Sequence, residues 1–201
     1  MQAVGATNLT LASALWPVTR ESGAARALIL MVLGTVVLWL SAKIQIPFYP
    51  VPLTMQTFAV LTLGIAYGWR LGGATLLLYL AEGAAGLPVF AGGWSEGGGL
   101  QHLYGPTAGY LVGFVLAAAF CGYLAERGWD RSIRRAVVPM LIGNVIIYVF
   151  GLPWLKYALA LDWKTTVDAG LMPFLLGDGL KLALGACILP AAWKLIGKRG
   201  G

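Results

Sequence analysis

The stretch ALILMVLGTVVLWLSA, Ala27–Ala42, decides the class of fold, because its sixteen residues include no charged side chain. A run of this kind is typical of a helix that crosses the hydrocarbon core of a membrane. The rest of the chain has the same character: 59% of its 201 residues are hydrophobic and 11% are charged. Soluble domains are roughly 45 to 50% apolar and about 25% charged. The sequence therefore predicts an all-α, polytopic membrane protein.

Outward from this stretch, apolar runs alternate with charged or Gly/Pro-rich breaks, and we predict six transmembrane helices. They are Ala27–Ala42, Leu53–Tyr67, Leu71–Phe90, Thr107–Ala125, Ala136–Trp154 and Leu171–Ile196. Residues 1–25 are predicted to be a cytoplasmic or interfacial tail, and residues 26–201 a single membrane domain. Cys121 and Cys187 both lie within apolar runs, so we expect both to pack in the core rather than to form a disulfide or a metal site.

The basic residues predict the orientation of these helices. Ten of them fall on one side: Arg20, Arg26, Arg70, Arg127, Arg131, Arg134, Arg135, Lys194, Lys198 and Arg199. The other side has Lys43, Lys156 and Lys164. Because cytoplasmic loops are enriched in Lys and Arg, both termini are expected in the cytoplasm, with the protein multi-pass in the inner membrane. The net charge of +6 is thereby explained by topology, and no basic patch indicates nucleic-acid binding.

Two connections on the external side have unusual compositions. Residues 42–56 are rich in proline and residues 91–107 are rich in glycine. Proline fixes the backbone and glycine permits close approach, so the two segments are suited to a fixed wall and a movable cover over a pocket. The alternative is two ordinary irregular loops.

Asp178 and Lys181 are the strongest candidate site residues, because ionisable side chains inside a membrane helix are costly and mark function. Their i, i+3 spacing places them on one face, roughly 10 to 15 Å below the external end of the last span. They either pair to hold the bundle together or line an external pocket, where they would offer ammonium donors and carboxylate acceptors to a polar ligand.

Other polar and aromatic residues are weaker candidates. Asn144 and Gln56 are amides that could bind a ligand or join two helices. Trp94, Tyr104 and Tyr110 flank the Gly-rich segment and could stack on a small bicyclic ligand. Glu82 is a lone acid that the sequence does not place. Catalysis is not indicated, because His102 is the single histidine and no nucleotide-binding GxxxxGK[ST] motif occurs.

Several of these residues belong to stretches that resemble the BioY family, the biotin-specific S components of energy-coupling-factor (ECF) transporters. The stretches are AKIQIPFYPVPLTMQTFAV, GGATLLLYLAEGAAGLPVFAGG, GPTAGYLVGF and LGDGLKLALG, between Ala42 and Gly185. The resemblance implies a six-helix S-component fold, no enzymatic activity and no cofactor. It also implies high-affinity biotin uptake, with biotin held in an outward-facing pocket capped by external loops and then delivered inward.

The resemblance also implies site residues and partners. Asp178 and Lys181 match the family's binding pair, a lid loop matches Ala91, Gly92 and Gly93, and Thr54, Gln56, Thr107 and Tyr110 match by position. The implied partners are biotin, the lipid bilayer, a transmembrane coupling protein and two ATP-binding-cassette ATPases. The family's small-residue docking pattern has no clean counterpart here, where only Gly23, Ala27 and Gly34 are available. The sequence leaves open whether the chain transports alone or with that module.

Two further hypotheses remain open, the first within the resemblance and the second from the residues. One is an S component for a different vitamin. The other is an intramembrane enzyme acting on lipids, with Asp178, Glu82 and Lys181 as acid, base and electrostatic clamp. Such enzymes usually cluster several carboxylates to hold metal and phosphate, and none of the acids here are adjacent.

Overall fold

Helices make up almost all of the regular structure in the computed structural model, which describes residues 9–17, 23–92 and 98–197. The α-helices are α1 (Leu11–Leu15), α2 (Gly23–Lys43), α3 (Gln56–Tyr67), α4 (Trp69–Ala84), α5 (Leu100–Tyr104), α6 (Ala108–Ala125), α7 (Ile133–Leu159), α8 (Trp163–Gly170) and α9 (Leu175–Gly197). A 3-10 turn at Met172–Phe174 precedes α9. Strands β1 (Gln45–Ile46) and β2 (Leu53–Thr54) pair antiparallel, with Gln45 opposite Thr54. The helical class is confirmed.

Each predicted span contains a helix, but most predicted boundaries differ from the observed ones by several residues, and two of these differences shape the site. The second span was predicted from Leu53, whereas Leu53 and Thr54 form β2, and the Met55 amide donates to the carbonyls of Ser41 and Ile44 before α3 begins. The third span was predicted to reach Phe90, whereas α4 ends at Ala84. There the Leu87 amide donates to the Glu82 carbonyl, and the chain turns through Gly86. The φ of Gly86 is 99°, a backbone conformation that glycine adopts without a steric cost.

Four helical segments within the described residues are long and apolar enough to cross a membrane: Gly23–Lys43, Ala108–Ala125, Ile133–Leu159 and the continuous run Trp163–Ile196. Helices α3 and α4 have 12 and 16 residues, or about 18 and 24 Å, against a hydrocarbon core of about 30 Å. They are joined tightly at Gly68, whose φ is 83°. The two short helices thus form a hairpin.

Helix α6 lies at the centre of the bundle and packs against α3, α4 and α7. Its composition permits this position, since α6 presents small residues where neighbouring helices approach most closely. A Cβ at Gly113 would lie 2.8 Å from the Ile147 Cα, and one at Gly64 would lie 2.7 Å from the Ala118 Cα. Both contacts are with backbone. Glycine is therefore required at Gly113, where α7 packs on α6, and at Gly64 of α3, where α3 packs on α6.

The two cysteines have different environments. Cys121 is buried on α6, and its thiol donates to the carbonyl of Pro139 at 3.0 Å, which fits the expected core packing. Cys187 was expected in the core as well, but it is exposed on α9. The expectation failed because an apolar residue in a membrane helix can face lipid as readily as protein.

The connections between the long helices divide between two ends of the bundle. The Gly68 turn and the loop 126–132 lie at one end, where the Glu126 carboxylate accepts from the Trp69 amide at 3.2 Å. The segment holding α1 is fixed near this end by Arg26, which donates to the carbonyls of Trp16 and Ala12. Residues 44–55, 85–92 and 98–107 meet at the opposite end, which is where the ligand-sized cavity lies.

Candidate functional site

Asp178 and Lys181 form an ion pair in the first turns of α9, with Nζ and Oδ1 3.0 Å apart. Their side chains are 7% and 11% exposed, respectively. Thr57 of α3 bridges them, because its hydroxyl accepts from the Lys181 ammonium at 3.0 Å and donates to Asp178 Oδ1 at 3.1 Å. The hydroxyl of Tyr148 on α7 donates to Asp178 Oδ2. The pair therefore ties three helices together.

The two charged groups differ in their remaining capacity to form hydrogen bonds with a ligand. Both oxygens of Asp178 already accept hydrogen bonds from protein groups. Lys181 has three ammonium donors, of which two are used by Thr57 and Asp178. Lys181 thus retains a donor for a ligand, and Asp178 is placed to hold Lys181.

A cavity of about 220 Å³ opens above this network. It is several times the volume of about 30 Å³ that a water molecule occupies in the liquid, so it can hold a small organic molecule. Polar side chains line part of it: Thr54, Gln56, Thr57, His102, Thr107, Tyr148 and Lys181. Aromatic and aliphatic groups line the rest, among them Val51, Phe90, Tyr110, Phe114, Ile147 and Phe174. A mainly apolar cavity with one cation and several hydroxyl and amide groups suits an amphiphilic acid.

A hydrogen-bonded chain fixes one wall of the cavity. The Gln56 amide donates to the Tyr79 hydroxyl at 2.8 Å, and that hydroxyl donates to the Val89 carbonyl at 2.7 Å. Gln56 and Tyr79 are both buried, so these bonds form away from water. The start of α3 is thereby connected through α4 to the loop that follows α4.

The cover of the cavity is the segment around Phe90 and Ala91 together with α5. Gly92 exchanges two hydrogen bonds with the side chain of Gln45, at 3.2 and 3.0 Å, and the Lys43 ammonium donates to the Phe90 carbonyl at 2.9 Å. The His102 ring packs against Phe90 with centroids 5.9 Å apart. The cover is therefore attached to the Pro-rich segment by side chains at the end of α2 and in β1.

The structure brings most of the predicted site residues together. Those that line the cavity are Lys181, Tyr110, Gln56, Thr54, Thr107 and Ala91. Asp178 lies behind Lys181 and does not line the cavity. Asn144 lines a separate groove between α7 and α9. Gly93 and Trp94 lie outside the described residues.

Sequence reasoning missed two polar residues of the site, Thr57 and Tyr148. Thr57 directly follows Gln56 and was read as part of an ordinary membrane helix. Tyr148 lies one turn beyond Asn144, so the i, i+4 rule could have placed it on the same face. The hydrophobic wall formed by Phe90, Phe114 and Phe174 gave no signal, because aromatic residues are frequent in any membrane helix.

Glu82 and His102 have identifiable local roles. The Glu82 carboxylate accepts from the Thr35 hydroxyl at 3.0 Å, which joins α4 to α2 away from the cavity. His102 Nδ1 lies 3.0 Å from the Gly98 carbonyl, so the ring is held at the edge of the cover. Among the described residues, no three of the His, Cys, Asp and Glu side chains are grouped as a metal site would require.

Comparisons with known proteins agree with this architecture. The family model described as the BioY family matches residues 9–198. The Thermotoga maritima biotin transporter BioY is 37% identical over 163 residues, which cover 81% of this chain and 93% of that protein. The Rhizobium etli biotin transporter BioY is 36% identical over 160 residues, which cover 76% of this chain and 83% of that one.

A solved structure shares the fold. The crystal structure of the S component for biotin from an ECF-type ABC transporter superposes with a TM-score of 0.75. The match covers 88% of this chain and 95% of that chain, at 23% sequence identity. This chain therefore shares the fold of that S component.

Proposed function

The chain belongs to the BioY family, and we propose that it mediates high-affinity uptake of biotin across the cytoplasmic membrane. Biotin would occupy the cavity above Lys181 in an outward-facing state and then be delivered inward. The relatives named above carry the name biotin transporter, which supports the substrate. Membership in a family of transport proteins leaves no basis for the intramembrane enzyme.

The observation that carries the proposal is the Lys181 ammonium, the one cation among the described residues that line a mainly apolar cavity. Biotin combines a carboxylate and a ureido carbonyl, both hydrogen-bond acceptors, with an apolar thiophane ring and an alkyl chain. Lys181 can serve either acceptor, and Phe90, Phe114 and Phe174 offer contacts for the apolar parts. Asp178 would act through Lys181, because it keeps the ammonium in place and compensates its charge.

Topology and partners are part of the same proposal. Six helices cross the membrane, both termini lie in the cytoplasm and residues 26–201 form the membrane domain. The basic residues 127, 131, 134 and 135, near the end of the bundle opposite the cavity, support this orientation. The S-component fold supports an ECF coupling protein and two ATP-binding-cassette ATPases as partners. Gly34 is an unsuitable docking residue, because it packs against Thr75 of α4 inside the protein.

Equilibrium binding of radiolabelled biotin to the detergent-purified protein tests the proposal. Wild type is expected to bind one biotin tightly, and Lys181→Ala is expected to bind much more weakly with an unchanged folded yield. Lys164→Ala is the matched control, since Lys164 is an exposed lysine on the same side that does not line the cavity. Absence of biotin binding by wild type, with binding of another vitamin in a competition screen, would replace biotin with that vitamin.

A further inference from the structure

A second, larger cavity lies beside the ligand cavity as a groove between α7 and α9. Its volume is about 620 Å³. Most of its lining is apolar and comes from both helices and from the segment before α9: Leu141, Val145, Val149, Leu152, Pro153, Trp163, Leu171, Leu175 and Leu182. The remaining lining residues are Asn144, Tyr148, Asp178 and Gly179. We propose that this groove binds one acyl chain of a membrane phospholipid.

The surroundings of the groove identify hydrocarbon as the occupant. Ile133–Leu159 and Trp163–Ile196 are both long and apolar enough to cross a membrane. A groove that opens sideways between two such helices faces acyl chains rather than water. Its apolar lining, from Leu141 to Leu182, matches that medium in chemistry.

The length and the ends of the groove fit one lipid of the external leaflet. Leu141 and Pro153 are twelve residues apart on α7, which corresponds to about 18 Å. Half of a hydrocarbon core of about 30 Å is of similar length. Trp163 lines the groove at the end that the proposed topology, on which this step rests, places outside, and the Lys156 ammonium lies 5.6 Å from the centroid of the Trp163 ring. A tryptophan beside a lysine is suited to the depth of the lipid headgroup.

Gly179 leaves the groove open on the α9 side. A Cβ built on Gly179 would meet no heavy atom within 4 Å, in contrast to the close backbone contacts at Gly64 and Gly113. The absence of a side chain at Gly179 is therefore not required by helix packing. It creates space that a flexible chain can fill.

The groove also carries a polar atom that ordinary lipid-facing surfaces lack. Asn144 is 8% exposed, and its Oδ1 has no hydrogen-bond partner among the described residues. A buried acceptor at this depth needs a donor, so a single water beneath the acyl chain is expected to serve it. The chain above it would keep bulk water away from Asp178 and Tyr148, of which Tyr148 also lines the ligand cavity.

Lipid retention by the purified protein tests the groove without reference to biotin. The delipidated protein in detergent is titrated with palmitoyl-oleoyl phosphatidylglycerol, and the lipid-bound fraction is measured by native mass spectrometry. Wild type is expected to retain one lipid. Gly179→Phe should weaken retention roughly tenfold, the equivalent of about two buried CH₂ groups. Val145→Phe fills the groove from α7 and should have the same effect, which guards against misfolding of one variant.

Leu180→Phe is the matched control, because Leu180 is exposed on α9 at the next position and does not line the groove. It should retain lipid as wild type does. Equal retention by wild type, Gly179→Phe and Val145→Phe would overturn the proposal. Loss of lipid from Leu180→Phe to the same extent would also overturn it, since the effect would then belong to the lipid-facing surface in general.

Discussion

The hydroxyl of Tyr148 on α7 donates a hydrogen bond to the carboxylate of Asp178 on α9, and Tyr148 lines both the ligand cavity and the lateral groove. Asp178 in turn accepts from Lys181, whose ammonium faces the cavity. The position of the Lys181 ammonium is therefore set by residues from three helices, since Thr57 of α3 completes the network.

Asp178→Asn is expected to abolish tight biotin binding and to destabilise the protein. It leaves the Lys181 charge buried without its counter-ion, and breaking such a buried pair costs about 3 to 5 kcal/mol. Asp178→Asn combined with Lys181→Met should recover most of the thermal stability but not biotin binding. Thermal melts and biotin titrations on both variants check this. Recovery of binding in the double variant would show that neither charge contacts the ligand.

Tyr148→Phe removes one hydrogen bond to a charged group, and such bonds contribute about 1.5 to 3 kcal/mol. Biotin affinity should fall about tenfold or more, because Asp178 is held less firmly and positions Lys181 less well. Tyr157→Phe is the control, since Tyr157 is 78% exposed and lies outside the cavity. Binding titrations for the two variants should differ. Equal affinities would mean that the Tyr148 hydroxyl is dispensable.

Gly64→Ala is expected to destabilise the bundle by about 1 to 3 kcal/mol, because its methyl group would press on the backbone of Ala118. Gly73→Ala provides the comparison, since its Cβ would lie 3.6 Å from the Ala119 Cβ, an ordinary contact. Gly73→Ala should be neutral or stabilising, as a helical glycine is otherwise unfavourable by about 0.5 to 1 kcal/mol. Thermal unfolding in detergent measures both. Equal shifts of the unfolding midpoint for the two substitutions would contradict the close packing of α3 on α6.

Asp130 is expected to make the stability of the protein depend on pH. It is fully buried in the loop between α6 and α7, where desolvation raises its pKa although the Trp193 indole donates to its carboxylate at 2.6 Å. Because the folded-state pKa lies above the unfolded value, its stabilising contribution is present at low pH and is lost as pH rises through the folded pKa. Asp130→Asn should reduce the dependence of the melting temperature on pH over that range. Asp168→Asn, at an exposed site, should retain the wild-type slope.

The proposed topology predicts which engineered cysteines a membrane-impermeant thiol reagent can reach. In a background with Cys121 and Cys187 replaced, Tyr104→Cys should react in intact cells, and Ser132→Cys should react only after permeabilisation. Both positions are exposed and lie at opposite ends of the bundle. Reaction of Ser132→Cys in intact cells would contradict the proposed orientation and place the loop 126–132 outside.

The extent to which the site was predictable differs between its residues. Lys181 stood out because a charge inside an apolar run has an obvious cost, and the structure places it on the cavity. Asp178 stood out for the same reason, yet its partners Thr57 and Tyr148 were not identified. Those residues are ordinary in composition, and they become part of the site only because α3 and α7 bring them to α9.

What the sequence by itself determined is the membrane class, the approximate position of the helices and the two charges in the last span, because each depends on local hydrophobicity along the chain. The tertiary structure decided where α3 and α4 begin and end, and that Asp178 lies behind Lys181. It also decided that Asn144 faces a lateral groove and Cys187 the exterior. In lipid, apolar residues are favourable on every face of a helix, so composition does not indicate which face meets protein, ligand or lipid. That choice depends on contacts between helices distant in sequence.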